Sequence, residues 1–171
     1  MFGNGLFTRC IELIKVWKPQ QNYLDELKYR DDLRDFLFKE LNKPNPLSFG
    51  NPERINVRIE SSRSLCDIAI DRSIGIELKF SETGKMKKAE IDRLYGQIAG
   101  HKKEYSQGII VVLVGEVDDY SEAEVRERLE ELHTSFNNSG LGLNQYHLDL
   151  INKSNSKQTE KPKPFEYKLS I

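Results

Sequence analysis

The sequence predicts an α/β domain whose mixed central sheet is flanked by helices. Residues 65–71 and 74–80 alternate apolar and polar side chains at the period of a half-buried strand, with a short polar break between them. Residues 108–114 form a continuous apolar run, which is typical of a strand covered on both faces. A helical pattern over residues 89–105 separates the second of these strands from the apolar run. A helix that connects two strands in this way places the later strand parallel to an earlier one.

Composition and charge exclude several classes of protein. The chain has 171 residues, of which 37% are apolar and 31% charged, a balance typical of one soluble domain. No apolar run approaches the roughly 18 residues of a membrane span, and charged residues interrupt the N-terminal apolar stretch, so we expect neither a membrane anchor nor a signal peptide. Cys10 and Cys66 have neither metal-binding nor redox spacing. These features favour a single cytoplasmic domain over residues 1–171.

The charge of the chain is unevenly distributed. The formal net charge of −1 argues against binding of nucleic acid through overall charge alone. Residues 116–131 are mostly acidic, however, and residues 152–168 are mostly basic. A protein with one acidic and one basic side can still meet a polyanion with its basic side.

Two amphipathic helices are expected before the first strand. Residues 5–18 have helical spacing of apolar side chains, and this helix is expected to pack on the domain or on a second subunit, because it carries too few positive charges for a membrane surface. The second helix covers residues 23–41. Its predicted core stripe is Leu24, Leu27, Leu33, Leu37 and Leu41. After a loop rich in proline, residues 55–59 alternate as a first strand.

The hairpin of residues 65–80 determines the functional prediction. Because successive side chains of a strand point to opposite faces, Cys66 and the alternate apolar residues are expected to face the core. Asp67, Glu77 and Lys79 then emerge together on the other surface. A three-residue loop would set Asp67 directly opposite Glu77, with Cβ atoms roughly 4.5–5.5 Å apart. With a two-residue loop, Asp67 would no longer lie directly opposite Glu77.

The acidic pair Asp67 and Glu77 is suited to a metal ion. Two carboxylates held this close repel each other and raise each other's pKa unless a cation lies between them. Lys79 lies beside them, and Ala69 and Gly75 are expected to leave the surface open, so that a hard divalent ion and an anionic substrate could bind. The alternative interpretation is an exposed hairpin face with ordinary solvated charges.

Basic side chains after the hairpin are candidate phosphate contacts. Lys85, Lys87 and Lys88 lie in a polar loop, and Arg93 lies in the following helix. A basic loop that leads into a helix can contact a phosphate backbone, although many lysine-rich loops are only solvated.

The helix predicted over residues 89–105 presents Arg93, Gln97 and His101 on one face, since they are four residues apart. His101 is expected to be a surface residue, because no second histidine lies at metal-binding spacing.

The C-terminal third is predicted to add a helix and further strands. Ser121 and Glu124 have the spacing of a capping box at the start of that helix. A strand is expected within residues 140–151 and a polar, lysine-rich, mobile segment over residues 152–164. Residues 165–171 alternate again, as in an edge strand or a dimer contact.

The hairpin resembles the signature of a known superfamily. Asp67 is followed by nine residues and then by Glu77-Leu78-Lys79, which resembles the motif of the PD-(D/E)XK nucleases, with Cys66 in place of the proline. Gln97, within Leu-Tyr-Gly-Gln-Ile, is similar to the Gln motif of many of these nucleases. The resemblance implies the restriction-endonuclease-like fold, an αβββαβ core over about residues 23–114. The helix of residues 5–18 and the segment 121–171 would be elaborations.

The resemblance implies metal-dependent hydrolysis of phosphodiester bonds. Asp67, Glu77 and the Leu78 carbonyl would bind Mg²⁺, with Mn²⁺ as a substitute. Lys79 would orient the attacking water or stabilise charge in the transition state, and Gln97 would help to position the water or a phosphate.

The family also implies an acidic residue on the first core helix beside the metal. Glu26 matches that position best and would act through an outer-shell water or a second ion, with Asp32 and Glu40 as competitors. A solvated helix face is the alternative interpretation for all three residues.

The expected substrate is DNA, cut by an endonuclease rather than an exonuclease. A homodimer and a protein partner that supplies targeting are further expectations. Two alternatives remain open at this point. One is a nuclease-fold module that binds nucleic acid or a protein without cutting, and the other is a metal-binding protein with no nucleic-acid substrate.

Overall fold

The structure is a computed structural model that describes residues 3–44, 53–62, 65–138 and 146–155. Its helices and strands follow one another in the predicted order. They are α1 (Gly3–Val16), α2 (Glu26–Leu41), β1 (Val57–Ile59), β2 (Ile68–Ile70), β3 (Ile74–Gly84), α3 (Lys88–His101), β4 (Gly108–Val117), α4 (Asp119–Asn138) and β5 (His147–Asn152). A short 3₁₀ turn, Lys102–Glu104, follows α3.

The five strands form one mixed sheet in the order β1-β2-β3-β4-β5. The β1–β2 and β2–β3 pairs are antiparallel, whereas the β3–β4 and β4–β5 pairs are parallel. The crossover through α3 therefore makes β4 parallel to β3, as its continuous apolar sequence predicted. The predicted class, an α/β fold with a mixed sheet flanked by helices, is confirmed.

Two hydrophobic cores lie on the two faces of the sheet. On the first face, α1 and α2 pack against alternate residues of β3 that include Ile74, Ile76 and Leu78. On the second face, the apolar sides of α3 and α4 pack against Ala69 and against alternate residues of β4. Gly75, Glu77 and Lys79 belong to this second face because side chains alternate along β3.

The register of the hairpin agrees with the three-residue loop. Ile68 pairs with Ile76 and Ile70 pairs with Ile74, so the loop is Asp71-Arg72-Ser73. The same register, continued by one residue, sets Asp67 opposite Glu77. Two loop residues have left-handed backbone, with φ of 46° at Asp71 and 55° at Arg72. This turn reverses the chain tightly, and the Ser73 N–H donates to the Ile70 carbonyl at 3.0 Å.

The bounds of several strands differ from the prediction. β2 begins at Ile68 rather than at residue 65, and β1 is limited to residues 57–59. β3 is longer than predicted, because residues 81–84, expected in a loop, still pair with the end of β4. Alternation of apolar side chains shows which residues are extended, whereas the strand ends depend on where a neighbouring strand is available to pair.

The start of α2 also corrects the prediction. Leu24 and Leu27, placed in the core stripe from the sequence, are 82% and 58% exposed. The helix begins only at Glu26, because the Asp25 carboxylate caps it by accepting from the Lys28 N–H. The buried stripe is instead Tyr29, Leu33, Leu37 and Leu41 at i, i+4 spacing.

The start of α4 differs as well. Asp118, not Ser121, is the capping residue, since its carboxylate accepts from the Ser121 N–H at 2.7 Å. Ser121 lies inside the first turn, and its buried hydroxyl accepts from the Met86 N–H at 2.9 Å. The predicted capping box of Ser121 and Glu124 was therefore wrong.

Some expectations concern residues that the structure does not describe. The lysine-rich segment beyond residue 155, the alternating residues 165–171 and the first part of the strand expected over residues 140–151 lie outside the described residues. Within the described ranges, no helix combines the length and the apolar character that crossing a membrane requires.

Candidate active site

The site lies beside the start of β2, beyond which β3 continues without pairing to β2. β2 pairs with β3 only as far as Ile76, so the next backbone groups on that edge need other partners. The Leu78 N–H donates to Asp67 Oδ2 at 2.8 Å, and the Phe80 N–H donates to Glu26 Oε2 at 2.9 Å. Two carboxylates are thus fixed along the strand edge. The Leu78 carbonyl points to the same edge, since both backbone groups of a strand residue face one neighbour.

Glu77 and Lys79 complete the group from the second face of β3. Glu77 is only 2% exposed, and its Oε1 lies 2.9 Å from Lys79 Nζ. Lys79 also lies 3.8 Å from Glu26 Oε1. One ammonium is therefore in contact with two carboxylates, and the Asp67 carboxylate lies close enough to add to their negative field. The cluster has more negative than positive charge before any ion binds.

The electrostatics of the cluster follow from burial and charge together. Burial, reinforced by the Asp67 carboxylate and only partly offset by Lys79, raises the pKa of Glu77 to about 7. Burial also raises the pKa of Glu26, against the opposing effects of Lys79 and of the Phe80 N–H. For Lys79, burial lowers the pKa, but the neighbouring carboxylates, Glu77 foremost, outweigh this and leave the pKa above its ordinary value. Lys79 therefore stays charged while Glu77 exchanges its proton near neutrality.

A cleft of about 750 Å³ gives access to these groups. Its lining includes Glu26, Asp67, Glu77, Lys79, Gln97, Arg30 and Arg93. Gln97 reaches the cleft from α3, and its buried Oε1 has no hydrogen-bond partner among the described residues. Because an unsatisfied buried acceptor is costly, this oxygen is suited to a donor such as a water in the cleft.

The structure brings together most of the predicted site residues and separates others. Five polar residues predicted from widely separated parts of the sequence, together with Arg93, line one cleft. Lys85, Lys87 and Lys88 instead line a second cleft with Tyr120 and Glu124. Their contact with nucleic acid stays a prediction, and it would have to be made outside the carboxylate cleft.

The expectation of an open surface at Ala69 and Gly75 was wrong. Ala69 and Gly75 do not leave an open face, because both are buried, Ala69 to 1% exposure. An added Cβ at Gly75 would lie 2.6 Å from Cys66 Sγ and 2.8 Å from the Tyr105 ring. Cys66 packs in the second core rather than with Ile68 in the first. It precedes β2, so the alternation of that strand does not determine its direction.

His101 was wrongly expected at the surface. It is 2% exposed at the end of α3, and its Nδ1 lies 3.8 Å from Glu77 Oε2. Its position four residues after Gln97 was the available signal, since Gln97 was already predicted to face the site. The groups beside His101 are not a second histidine but the Glu77 carboxylate and the Cys66 thiol.

The oxygen donors of the cleft fit Mg²⁺. This ion prefers hard oxygen ligands and retains several waters, so it needs few groups from the protein. Asp67 Oδ1 makes no hydrogen bond to any described residue, while its Oδ2 is held by Leu78. The Glu77 carboxylate and the Leu78 carbonyl are further oxygen donors on β3. The orphaned Gln97 oxygen provides a further acceptor for ordered water.

Comparisons with known proteins do not identify a relative. A scan of the sequence against protein-family models finds no match, and searches among curated proteins and among solved structures find none either. Function must therefore be inferred from the residues of the cleft and their geometry.

Proposed function

We propose that the protein is a Mg²⁺-dependent nuclease of the PD-(D/E)XK type that hydrolyses phosphodiester bonds in DNA. The observation that carries the proposal is the convergence of Asp67, Glu77 and Lys79 with Glu26 and Gln97 in one cleft. These residues come from four separate segments, and each has the chemistry that the resemblance implied for it. The strand order, with an antiparallel hairpin followed by a parallel crossover, is compatible with the αβββαβ core.

Asp67, Glu77 and the Leu78 carbonyl would hold the metal. When bound, Mg²⁺ supplies a Lewis acid that activates a water and offsets the charge that develops on the phosphate. Asp67 is pre-oriented for this role, because the Leu78 N–H fixes one of its oxygens. Glu77 must lose its proton first, and its pKa of about 7 allows this near neutral pH.

The remaining polar residues position the water and the phosphate. Lys79 keeps its proton and donates to the attacking water or to a phosphate oxygen. Glu26 contacts Lys79 at 3.8 Å and would act through an outer-shell water or a second ion. Gln97 offers its free oxygen to the water in the cleft.

The substrate is a polyanion that enters an open cleft. Arg30 and Arg93 line it; Arg93 can pair with a phosphate backbone, whereas Arg30 is already paired with Asp31 at 2.8 Å. Endonucleolytic cutting of DNA is the favoured reaction, and a dimer would place two such clefts on one duplex. A module that binds nucleic acid without cutting remains the alternative.

The test is cleavage of linear, circular and single-stranded DNA by the purified chain, with Mg²⁺, with Mn²⁺ and with chelator. Asp67→Asn should lower the cleavage rate at least about a hundredfold, because loss of an outer-shell support alone costs 10–100-fold in metal sites. DNA affinity should largely survive, since the substitution does not remove a cation. Asp92→Asn, on the exposed side of α3, is the matched control.

The outcomes separate the alternatives. Metal-dependent cutting that is lost in Asp67→Asn and retained in Asp92→Asn supports the nuclease. Unchanged cutting by Asp67→Asn would refute the assigned site. DNA binding without cutting of any of the three substrates would favour the non-catalytic module.

A further inference from the structure

Three side chains of the types that can bind metal ions lie close together, at the carboxylate oxygen of Glu77 that does not contact Lys79. Cys66 Sγ lies 3.4 Å from His101 Nδ1, and His101 Nδ1 lies 3.8 Å from Glu77 Oε2. One ligand atom from each residue lies within 4.8 Å of the other two. All three side chains are buried, with exposures of 0 to 2%. A thiol, an imidazole and a carboxylate therefore share one small volume.

The fold positions this cluster through several elements. His101 comes from the end of α3, Glu77 from the centre of β3 and Cys66 from the segment before β2. The Cys66 N–H donates to the Tyr105 hydroxyl at 3.1 Å, which fixes the backbone of the cysteine. Gly75 provides the space into which Cys66 and the Tyr105 ring pack. The thiol is thus held by its backbone and by its packing.

We propose that Cys66, His101 and Glu77 form a binding site for a borderline-soft divalent ion of the zinc class. The site is distinct in chemistry from the oxygen-rich cleft and does not require the protein to be a nuclease. Cys66 would bind as the thiolate, with its proton released to solvent. Zinc is the best match, because it takes thiolate, imidazole and carboxylate ligands together.

Two of the three distances between the ligand atoms are close to those around a tetrahedral ion, and the third, from Cys66 to Glu77, is below 4.8 Å. With zinc–ligand bonds of about 2.0–2.3 Å, neighbouring ligand atoms around zinc lie roughly 3.3–3.6 Å apart. The Cys66–His101 distance of 3.4 Å is already in this range, and the His101–Glu77 distance of 3.8 Å needs only a small approach. No fourth histidine, cysteine or carboxylate joins the group within the described part of the chain. The fourth position would be filled by water from the cleft.

Glu77 links this cluster to the proposed magnesium site. Its Oε1 points to Lys79 in the cleft, and its Oε2 points to His101. Hard oxygen donors lie on the first side, whereas nitrogen and sulfur donors lie on the second. Ligand softness should therefore direct Mg²⁺ to the cleft and zinc to the buried cluster.

The test uses Co²⁺ as a spectroscopic probe for zinc, with the full chain freed of metal and no DNA or Mg²⁺ present. Ligation by Cys66 should produce a thiolate-to-cobalt charge-transfer band in the near ultraviolet. One equivalent of Zn²⁺ should then abolish the band by displacing the cobalt. Thermal unfolding of the same samples should shift upward with Zn²⁺, because an ion that binds the folded state stabilises it.

Three variants assign the ligands. Cys66→Ser and His101→Gln should each weaken Zn²⁺ binding at least about a hundredfold, since loss of a supporting contact alone costs 10–100-fold. Cys10→Ser is the matched control, because Cys10 is the other buried free cysteine and lies in the first core. It should leave the cobalt band unchanged.

Asp67→Asn separates this proposal from the nuclease. Asp67 is not in the cluster, so its variant should keep the cobalt band even if it loses cleavage. Absence of the thiolate band in the wild-type chain, or its persistence in Cys66→Ser, would overturn the proposal. If Cys66→Ser fails to fold, the wild-type band and its displacement by zinc still decide the outcome.

Discussion

The two faces of β3 bury side chains of different kinds. On the first face, Ile74, Ile76 and Leu78 are fully buried against α1 and α2. On the second face, Gly75 and Glu77 are also buried, but Gly75 lies beside Cys66, and Glu77 lies beside Lys79 and His101. The alternation along the strand is the same on both sides. The faces differ in whether burial of their side chains favours or opposes folding.

Burial of apolar side chains contributes about 25 cal/mol per Å² to folding, whereas burial of a carboxylate opposes it. Burial accordingly raises the pKa of Glu77 to about 7, because it disfavours the charged carboxylate. The Lys79 ammonium lowers the pKa of Glu77, but this offsets only part of the effect of burial. The first face therefore stabilises the fold through apolar burial, whereas the second face of β3 also buries a carboxylate whose burial opposes folding.

The largest expected effect tests the first face. Ile76→Ala should lower the free energy of unfolding by about 2–5 kcal/mol, because it removes buried methyl groups and leaves a cavity between β3 and the helices. Urea unfolding measures this change. Mg²⁺ affinity of the folded fraction, measured by calorimetry, should stay unchanged. A loss below 1 kcal/mol, or a loss of metal affinity, would remove the distinction between the faces.

The sequence predicted the first face better than the second. Alternation placed Ile68, Ile76 and Leu78 in a core, and the parity of the turn set Asp67 opposite Glu77. Both follow from local geometry, since a strand has period two and a hairpin has a fixed register. The resemblance then selected Glu26 and Gln97, which do line the cleft with that pair.

The second face depended on contacts that local periodicity does not encode. Ala69 and Gly75 suggested an open surface, but small residues also allow other groups to approach the sheet, and here Tyr105 does so. Cys66 and His101 are separated by 35 residues and meet only in the folded chain. Pattern analysis of either segment alone gave no reason to pair them.

The next effect concerns the pH dependence of stability. Because the pKa of Glu77 rises from 4.5 to about 7 on folding, the folded state holds the proton more tightly. The stability from this group is fully present below pH 4.5 and is lost as the pH rises through about 7. In chelator, the free energy of unfolding of wild type relative to Glu77→Gln should fall on the order of 2–3 kcal/mol from about pH 5 to about pH 8.

A control variant and a measurement with Mg²⁺ complete this test. Glu82→Gln removes an exposed glutamate from the same strand and should keep the pH profile of wild type. Added Mg²⁺ should stabilise wild type increasingly as the pH rises, because the ion binds the carboxylate form. A relative profile that stays level between acid and neutral pH would contradict the buried titration of Glu77.

The smallest effect compares one substitution at two glycines. Gly75→Ala should lower the free energy of unfolding by about 1–3 kcal/mol, because the new Cβ would lie 2.6 Å from Cys66 Sγ and 2.8 Å from the Tyr105 ring. Gly96→Ala should raise it by about 0.5–1 kcal/mol, since Gly96 is exposed within α3 and nothing lies within 4 Å of its Cβ position. Urea unfolding of the two variants should therefore give opposite signs. A higher free energy of unfolding in Gly75→Ala would mean that the second face has space for a methyl group beside Cys66, and that packing does not hold its polar cluster. A lower value in Gly96→Ala would contradict the open space around that Cβ position.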